Sequence, residues 1–256
     1  MDNIFNHNLY KSNGHFKNKE ARAQKLISMW AELEEQFVEL IEDGKGITER
    51  SRCAYALLFM MHTGVRVGNE SSAEGYVCNN KYLPEYGKII KTFGLTSLCK
   101  KHFFEDGKQL LISFVGKKGV NQFLRVLHPI LLKWYGNIRL EKLEPFFGID
   151  YRMLRKFVHK YIGKRFQPKD IRTVVVNKLF REQLEQCKSQ LNSIPTKRDA
   201  NAILKSSIQA TADTIGHTAG VCKSAYISRW YMSKVKEDLA LCIEYSKWRK
   251  KCEKKP

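Results

Sequence analysis

A chain of 256 residues is long enough to bury about 70–75% of its unfolded surface around a core of its own. Its 45 Lys and Arg against 26 Asp and Glu give a formal charge of +19, while 43% of the residues are hydrophobic, too many for a disordered basic tail. A field of that sign gathers polyanions, so nucleic acid is the first partner to consider, an anionic membrane surface the second and a small acidic metabolite the third. No apolar run approaches the ~18 residues of a membrane span, the densest being Ala54 to Met61, and the opening MDNIFNHNLYKSNG lacks the apolar core of a signal peptide. The seven cysteines are odd in number, scattered and free of CxxC pairs, which argues against a disulfide framework or a cysteine-held zinc. A reducing compartment is expected instead, cytoplasmic or nuclear. The histidines show no HExxH spacing, so no metal motif is read.

Residues 1–18 read as polar and loose. From Lys19 to Asp43 the apolar residues Leu26, Trp30, Leu33, Phe37 and Leu40 recur at helical spacing on one face, which predicts a core-facing helix ended by Gly44 and Gly46. Thr48 followed by Glu49 starts the next helix, whose all-apolar stretch runs to Gly64 and predicts deep burial. Residues 68–94 have little periodicity and read as loop. Between Gly94 and Leu127 come short β-rich runs separated by Asp106-Gly107 and by the GKKG of residues 116–119, which predict a small antiparallel three-stranded sheet with tight turns. Beyond Pro129 the signals are helical, with breaks at Gly148, Gly163, Pro168, Pro195 and from Gly216 to Gly220. The expected class is mainly α with this small sheet. The expected organisation is a polar segment and first helix over 1–45, then one domain over 46–256 with no further boundary.

Four places carry residues suited to chemistry. Arg66 lies between Gly64 and Gly68, where a glycine permits close approach of backbone to a ligand, although most arginines are simply solvated. The turn Gly116-Lys117-Lys118-Gly119 lifts a lysine off a hairpin, and an ordinary charged tip has the same composition. Lys169-Asp170-Ile171-Arg172-Thr173 follows Pro168 at a helix start, where N–H groups and cations suit a phosphate, or where plain capping suffices. Finally, His217 precedes Tyr226 by nine residues. Taken together these groups have a coherent mechanism. A phenol can attack a phosphodiester if two arginines and a histidine neutralise the non-bridging oxygens, and a lysine can protonate the leaving ribose oxygen.

At these residues the chain resembles the type IB DNA topoisomerases, in particular their compact viral and bacterial branch. The resemblance is carried by TGVRVGNE at 63–70, FGLTSLCKKH at 93–102, FVGKKG at 114–119, KDIRT at 169–173 and IGHTAGVCKSAYI at 215–227. It implies the catalytic-domain fold shared with tyrosine recombinases. It also implies that Arg66, Arg172 and His217 clamp the scissile phosphate, that Lys117 is the general acid with Lys169 supporting proton transfer, and that Tyr226 is the nucleophile forming a 3′-phosphotyrosyl link. Lys118, Asn177 and Lys223 fall on positions implied to contact DNA or support the site. The activity implied is relaxation of supercoiled duplex DNA by a monomer, without ATP, metal or small-molecule cofactor and without a membrane partner.

Tyrosine recombinases are the nearest rival, but they usually carry a histidine where this chain has Lys169. A histidine at 217 is the residue type of the viral enzymes, where the bacterial branch often has Asn, so the resemblance implies a virus-like origin and with it a viral replication site or a virion as the place of action. Relatives place a DNA-clamping domain before the catalytic domain, and only about 45 residues precede it here, so the clamp is expected to be missing and the grip on DNA weaker. Three other readings stay open: a non-cleaving DNA-binding module, a Cys222–His217 nucleophile pair, and a nuclear-targeting role for the basic stretch SKWRKKCEKKP.

Overall fold

The computed structural model describes residues 14–43, 46–68, 73–79, 81, 86–189, 196–229, 232–233, 235–237 and 244, leaving aside the side chains of 14–18, 76 and 118. The opening segment to residue 13, Gly44, Pro195, the basic C-terminal stretch and the Lys118 side chain therefore lie outside the described residues. Two compact units divide the chain, residues 1–175 and 176–256. A boundary at this point was not expected, because it falls inside a continuous helix and no glycine, proline or change of composition marks it.

In the first unit, helix α1 (Gly14–Ser28) begins ahead of Lys19, inside the stretch expected to be loose, and a break at Met29 separates it from α2 (Trp30–Glu42). The predicted single helix is thus two, and neither Gly nor Pro signals the break. The expected face nevertheless holds: Leu26, Leu33 and Phe37 are buried, with Trp30 and Leu40 packed against the same core. Helix α3 (Glu49–Thr63) starts on a reciprocal cap, Ser51 N–H donating to Thr48 Oγ1 at 3.1 Å and Thr48 N–H to Ser51 Oγ at 2.8 Å. Every residue from Cys53 to Met61 is buried, so α3 is the central element of this unit.

The stretch read as loop contains a two-stranded antiparallel pair, β1 (Tyr76–Val77) with β2 (Ile89–Ile90), too short to leave a periodic signal. Leu95–Ser97 forms a 3-10 turn, and the main sheet starts later than Gly94, with β3 (Phe103–Asp106), β4 (Gln109–Val115) and β5 (Asn121–Val126) in that order, all antiparallel. Leu110, Ile112, Phe114, Leu124 and Val126 bury the inner face, as alternation requires. Helices α4 (Pro129–Asn137) and α5 (Tyr151–Tyr161) and the first part of α6 (Pro168–Ser189) complete the unit.

His102 is buried at the end of the FGLTSLCKKH segment, its ring 4.4 Å from that of Phe93 and its Nδ1 accepting the Cys99 N–H at 2.9 Å. Burial, with the Lys101 charge beside it, lowers its pKa from 6.5 to about 4. The unfolded chain therefore takes up this proton first, so stability is full above pH 6.5 and falls as pH drops toward 4, by up to about 3 kcal/mol. Denaturant titrations at pH 7 and pH 4.5 should show that loss, and His102→Asn should flatten it. An unchanged pH slope in the variant would place the effect elsewhere.

The second unit holds the rest of α6, then α7 (Lys197–Thr214) and α8 (Ala219–Ala225). Thr196 caps α7 reciprocally with Asp199. Val176, Phe180, Leu184, Ile203, Leu204, Ile208 and Cys222 are buried in its core.

Candidate active site

In the first unit, α3 ends where Gly64 turns left-handed (φ 62°) and donates to the Met60 carbonyl. A Cβ at Gly64 would stand 2.9 Å from Val175 Cγ1, so both backbone and packing require glycine. The chain then runs through Arg66 alongside the FGLTSL segment. Leu95 N–H donates to the Arg66 carbonyl at 2.7 Å and Thr96 N–H to that of Val67 at 2.9 Å. Gly68 and Gly94 pack backbone on backbone, since a Cβ on Gly94 would meet Gly68 Cα at 2.5 Å. Gly68 thus makes a close backbone approach to Gly94 of the same chain. Arg66 itself is half-buried on this paired backbone.

The same segment reaches the hairpin tip. Phe93 N–H donates to the Val115 carbonyl at 2.8 Å, and Gly116-Lys117-Lys118-Gly119 follows directly, closed by Gly116 N–H on the Val120 carbonyl at 2.8 Å. Lys117 is exposed in the one-turn 3-10 helix Lys117–Gly119. Backbone hydrogen bonds thus connect the Arg66 segment, through Phe93 to Leu95, to the base of the Lys117 turn.

Helix α6 begins with Pro168 at its first position and carries Lys169 exposed, Asp170 buried and Arg172 buried. The helix start carries a side-chain cap, one of the two arrangements its sequence allows. Asp170 turns its own carboxylate back to accept the Gln167 N–H at 2.9 Å, and Arg22 of α1 donates to the same carboxylate at 2.8 Å. Neither Asp170 nor Arg22 was singled out from the sequence. The acid three residues after Gln167 was the available signal for the cap, and nothing local pointed to Arg22. The Arg172 guanidinium, 4% exposed, donates to the Gly64 carbonyl. Arg172 is therefore tied to the glycine that delivers Arg66.

In the second unit, Gly216 (φ 63°) closes α7: His217 N–H donates to the Ala212 carbonyl at 2.8 Å and Gly216 N–H to that of Asp213 at 3.2 Å, the paired bonds of a Schellman stop. His217 emerges directly from that stop, and Thr218 then caps α8. Tyr226 ends α8, half-buried, its ring centroid 5.2 Å from that of His217. Asn177 of α6 spans the turn after it, its amide donating to the Tyr226 carbonyl at 3.0 Å and its Oδ1 accepting the Ser228 N–H at 3.0 Å. Cys222 is fully buried in the core of this unit, out of reach of solvent as a nucleophile would not be. Lys223 is exposed on α8.

Residues 13–254 match the family model of the eukaryotic DNA topoisomerase I catalytic core. The chain belongs to this family. It is similar to viral members: 30% identical over 163 residues to DNA topoisomerase 1 of Rabbit fibroma virus (strain Kasza), covering 61% of this chain and 49% of the viral protein. It is 29% identical over 158 residues to DNA topoisomerase 1B of Vaccinia virus (strain Copenhagen), 60% and 48% of the two chains. Against DNA topoisomerase 1B of Acanthamoeba polyphaga mimivirus it is 22% identical over 174 residues, 62% and 52% of the two. The chain spans about half the length of these curated relatives. Among solved structures, the XerH site-specific recombinase bound to palindromic difH substrate in a post-cleavage complex aligns over 77% of this chain and 51% of its own, at 14% identity and a TM-score of 0.37. Membership of a topoisomerase family, with type IB enzymes of viruses as relatives, agrees with the resemblance read from the motifs. Among the described residues no helix is long and apolar enough to cross a membrane.

Proposed function

We propose that this chain relaxes supercoiled duplex DNA as a type IB topoisomerase, working as a monomer in a reducing compartment. The reading rests above all on the way Asn177 fixes the turn at Tyr226 beside His217, in a chain of this family. In this reading the Tyr226 oxygen attacks the scissile phosphorus, the 5′-oxygen of the next nucleotide leaves, and a 3′-phosphotyrosyl bond replaces the phosphodiester. Arg66, Arg172 and His217 neutralise the charge that grows on the non-bridging oxygens. Lys117 protonates the departing 5′-oxygen, supported by Lys169. Lys118 and Lys223 hold the backbone as point charges, while Asn177 serves as a positioning residue through the Tyr226 carbonyl. One ester is exchanged for another, so resealing draws on the stored bond and needs no ATP.

Supercoiled plasmid incubated with the protein in EDTA, without ATP, should be converted to relaxed topoisomers. A plasmid that binds normally and stays supercoiled at stoichiometric protein would remove the topoisomerase reading, and joining of two specific duplexes in a multimeric synapse would replace it with recombination. The general acid has its own test. Lys117→Ala should slow cleavage of an ordinary strand by ~10²–10⁴-fold and leave a strand with a bridging 5′-phosphorothiolate nearly unaffected, because a thiolate leaves without a proton. Equal slowing on both substrates would take that role from Lys117.

A further inference from the structure

Three side chains remote in sequence meet in the first unit, and none belongs to the set assigned above to the phosphate. Glu34 lies on α2, His62 in the last turn of α3, and His128 directly ahead of α4. His62 Nε2 is 3.0 Å from Glu34 Oε1, His128 Nε2 is 3.7 Å from the same oxygen, and one ligand atom from each of the three residues lies within 4.8 Å of the others. The two imidazole rings stand 4.6 Å apart, centroid to centroid.

The Glu34–His62 hydrogen bond accounts for that pair but not for His128. His128 Nε2 faces the same Glu34 oxygen from 3.7 Å, longer than a hydrogen bond, so a direct bond does not account for its place in the cluster. We propose that Glu34, His62 and His128 together bind a divalent transition-metal ion of the zinc type. A tetrahedral ion bound at about 2.0–2.1 Å holds its ligand atoms about 3.3 Å apart. The two spacings to Glu34, 3.0 and 3.7 Å, bracket that value, and the two histidine ligand atoms lie within 4.8 Å of each other, so side-chain movements of about an ångström close the site. Two imidazole nitrogens and one carboxylate suit Zn²⁺ or Co²⁺, whereas Mg²⁺ and Ca²⁺ take oxygen ligands. Three protein ligands leave a fourth position to water. The side chains keep 31%, 33% and 17% of their exposure, so an ion can enter from solvent. Bound there, it would staple α2, the end of α3 and the start of α4, and its effect is structural because the proposed phosphate chemistry uses none of these residues.

The test is run on the purified chain after EDTA dialysis and without DNA, so its outcome is independent of the topoisomerase reading. Co²⁺ should produce visible d–d absorption saturating at one equivalent, displaced by Zn²⁺ and not by Mg²⁺, and Zn²⁺ should raise Tm. His62→Ala and Glu34→Gln should each weaken binding by more than ~100-fold, above the 10–100-fold that losing an outer-shell partner costs. Both of those side chains are about one-third exposed, so the folded state should survive their replacement, which circular dichroism checks. Absence of the d–d bands at millimolar Co²⁺ would overturn the site. So would unchanged affinity in the two variants, or near-ultraviolet thiolate charge-transfer absorption showing that cysteines hold the ion.

Discussion

Tyr226→Phe is expected to lower DNA cleavage by ~10⁴–10⁶-fold, the scale seen when a covalent nucleophile is deleted. The substitution removes one oxygen and keeps the ring beside His217. It also keeps the backbone carbonyl that Asn177 holds, so the turn after α8 should stay as it is. DNA affinity should change by less than about two-fold, since phosphate contacts along the duplex supply most of it. Trapping on a nicked duplex followed by denaturing gels reads cleavage, and a filter-binding titration reads affinity. A phenylalanine variant that still forms the adduct would move the nucleophile to another residue.

Arg172→Ala should have the next largest effect, and on two readouts. Loss of one cation from the transition-state phosphate lowers single-turnover cleavage by ~10²–10³-fold, about 3–4 kcal/mol. Arg172 also donates to the Gly64 carbonyl from a buried position, and removing a partner from a buried carbonyl costs about 1–3 kcal/mol of stability. A lower Tm should therefore accompany the rate loss. Arg172→Lys separates the two. One ammonium cannot replace a forked guanidinium whose donors serve a carbonyl and a phosphate, so cleavage measured well below the variant's Tm should remain strongly impaired. Full activity in the lysine variant would make the role of Arg172 purely structural.

Much of the fold and of the motif set was legible because the signals are local. Thr48 and Gly64 bound α3 by cap chemistry that needs no tertiary context, and the turns at Asp106-Gly107 and Gly116-Gly119 separate strands whose alternation shows in the sequence. The Gly216 helix stop likewise reads directly from residues 215–217. What escaped depends on partners far along the chain. The packing of Gly68 on Gly94 does not show in the motifs, because the two glycines meet only on folding. The pairing of Asp170 with Arg22 does not show in the KDIRT motif, because Arg22 arrives from a helix at the other end of the first unit's sequence. The unit boundary between Val175 and Val176 is invisible in the sequence, since a helix crossing it needs no breaker. Glu34, His62 and His128 carry no spacing motif at all, and only the packing of α2, α3 and the start of α4 makes them one cluster.

In the proposed reaction Tyr226 exchanges a phosphodiester for a bond to the 3′ side of the break. The most direct measurement is to trap the adduct on a suicide duplex carrying separate labels on the two sides of the nick, digest it with protease, and sequence the labelled peptide by mass spectrometry. The predicted result is a single peptide containing Tyr226, esterified to the 3′-phosphate, with the other strand released bearing a free 5′-hydroxyl. Attachment to a 5′-phosphate, or to any residue other than Tyr226, would contradict it.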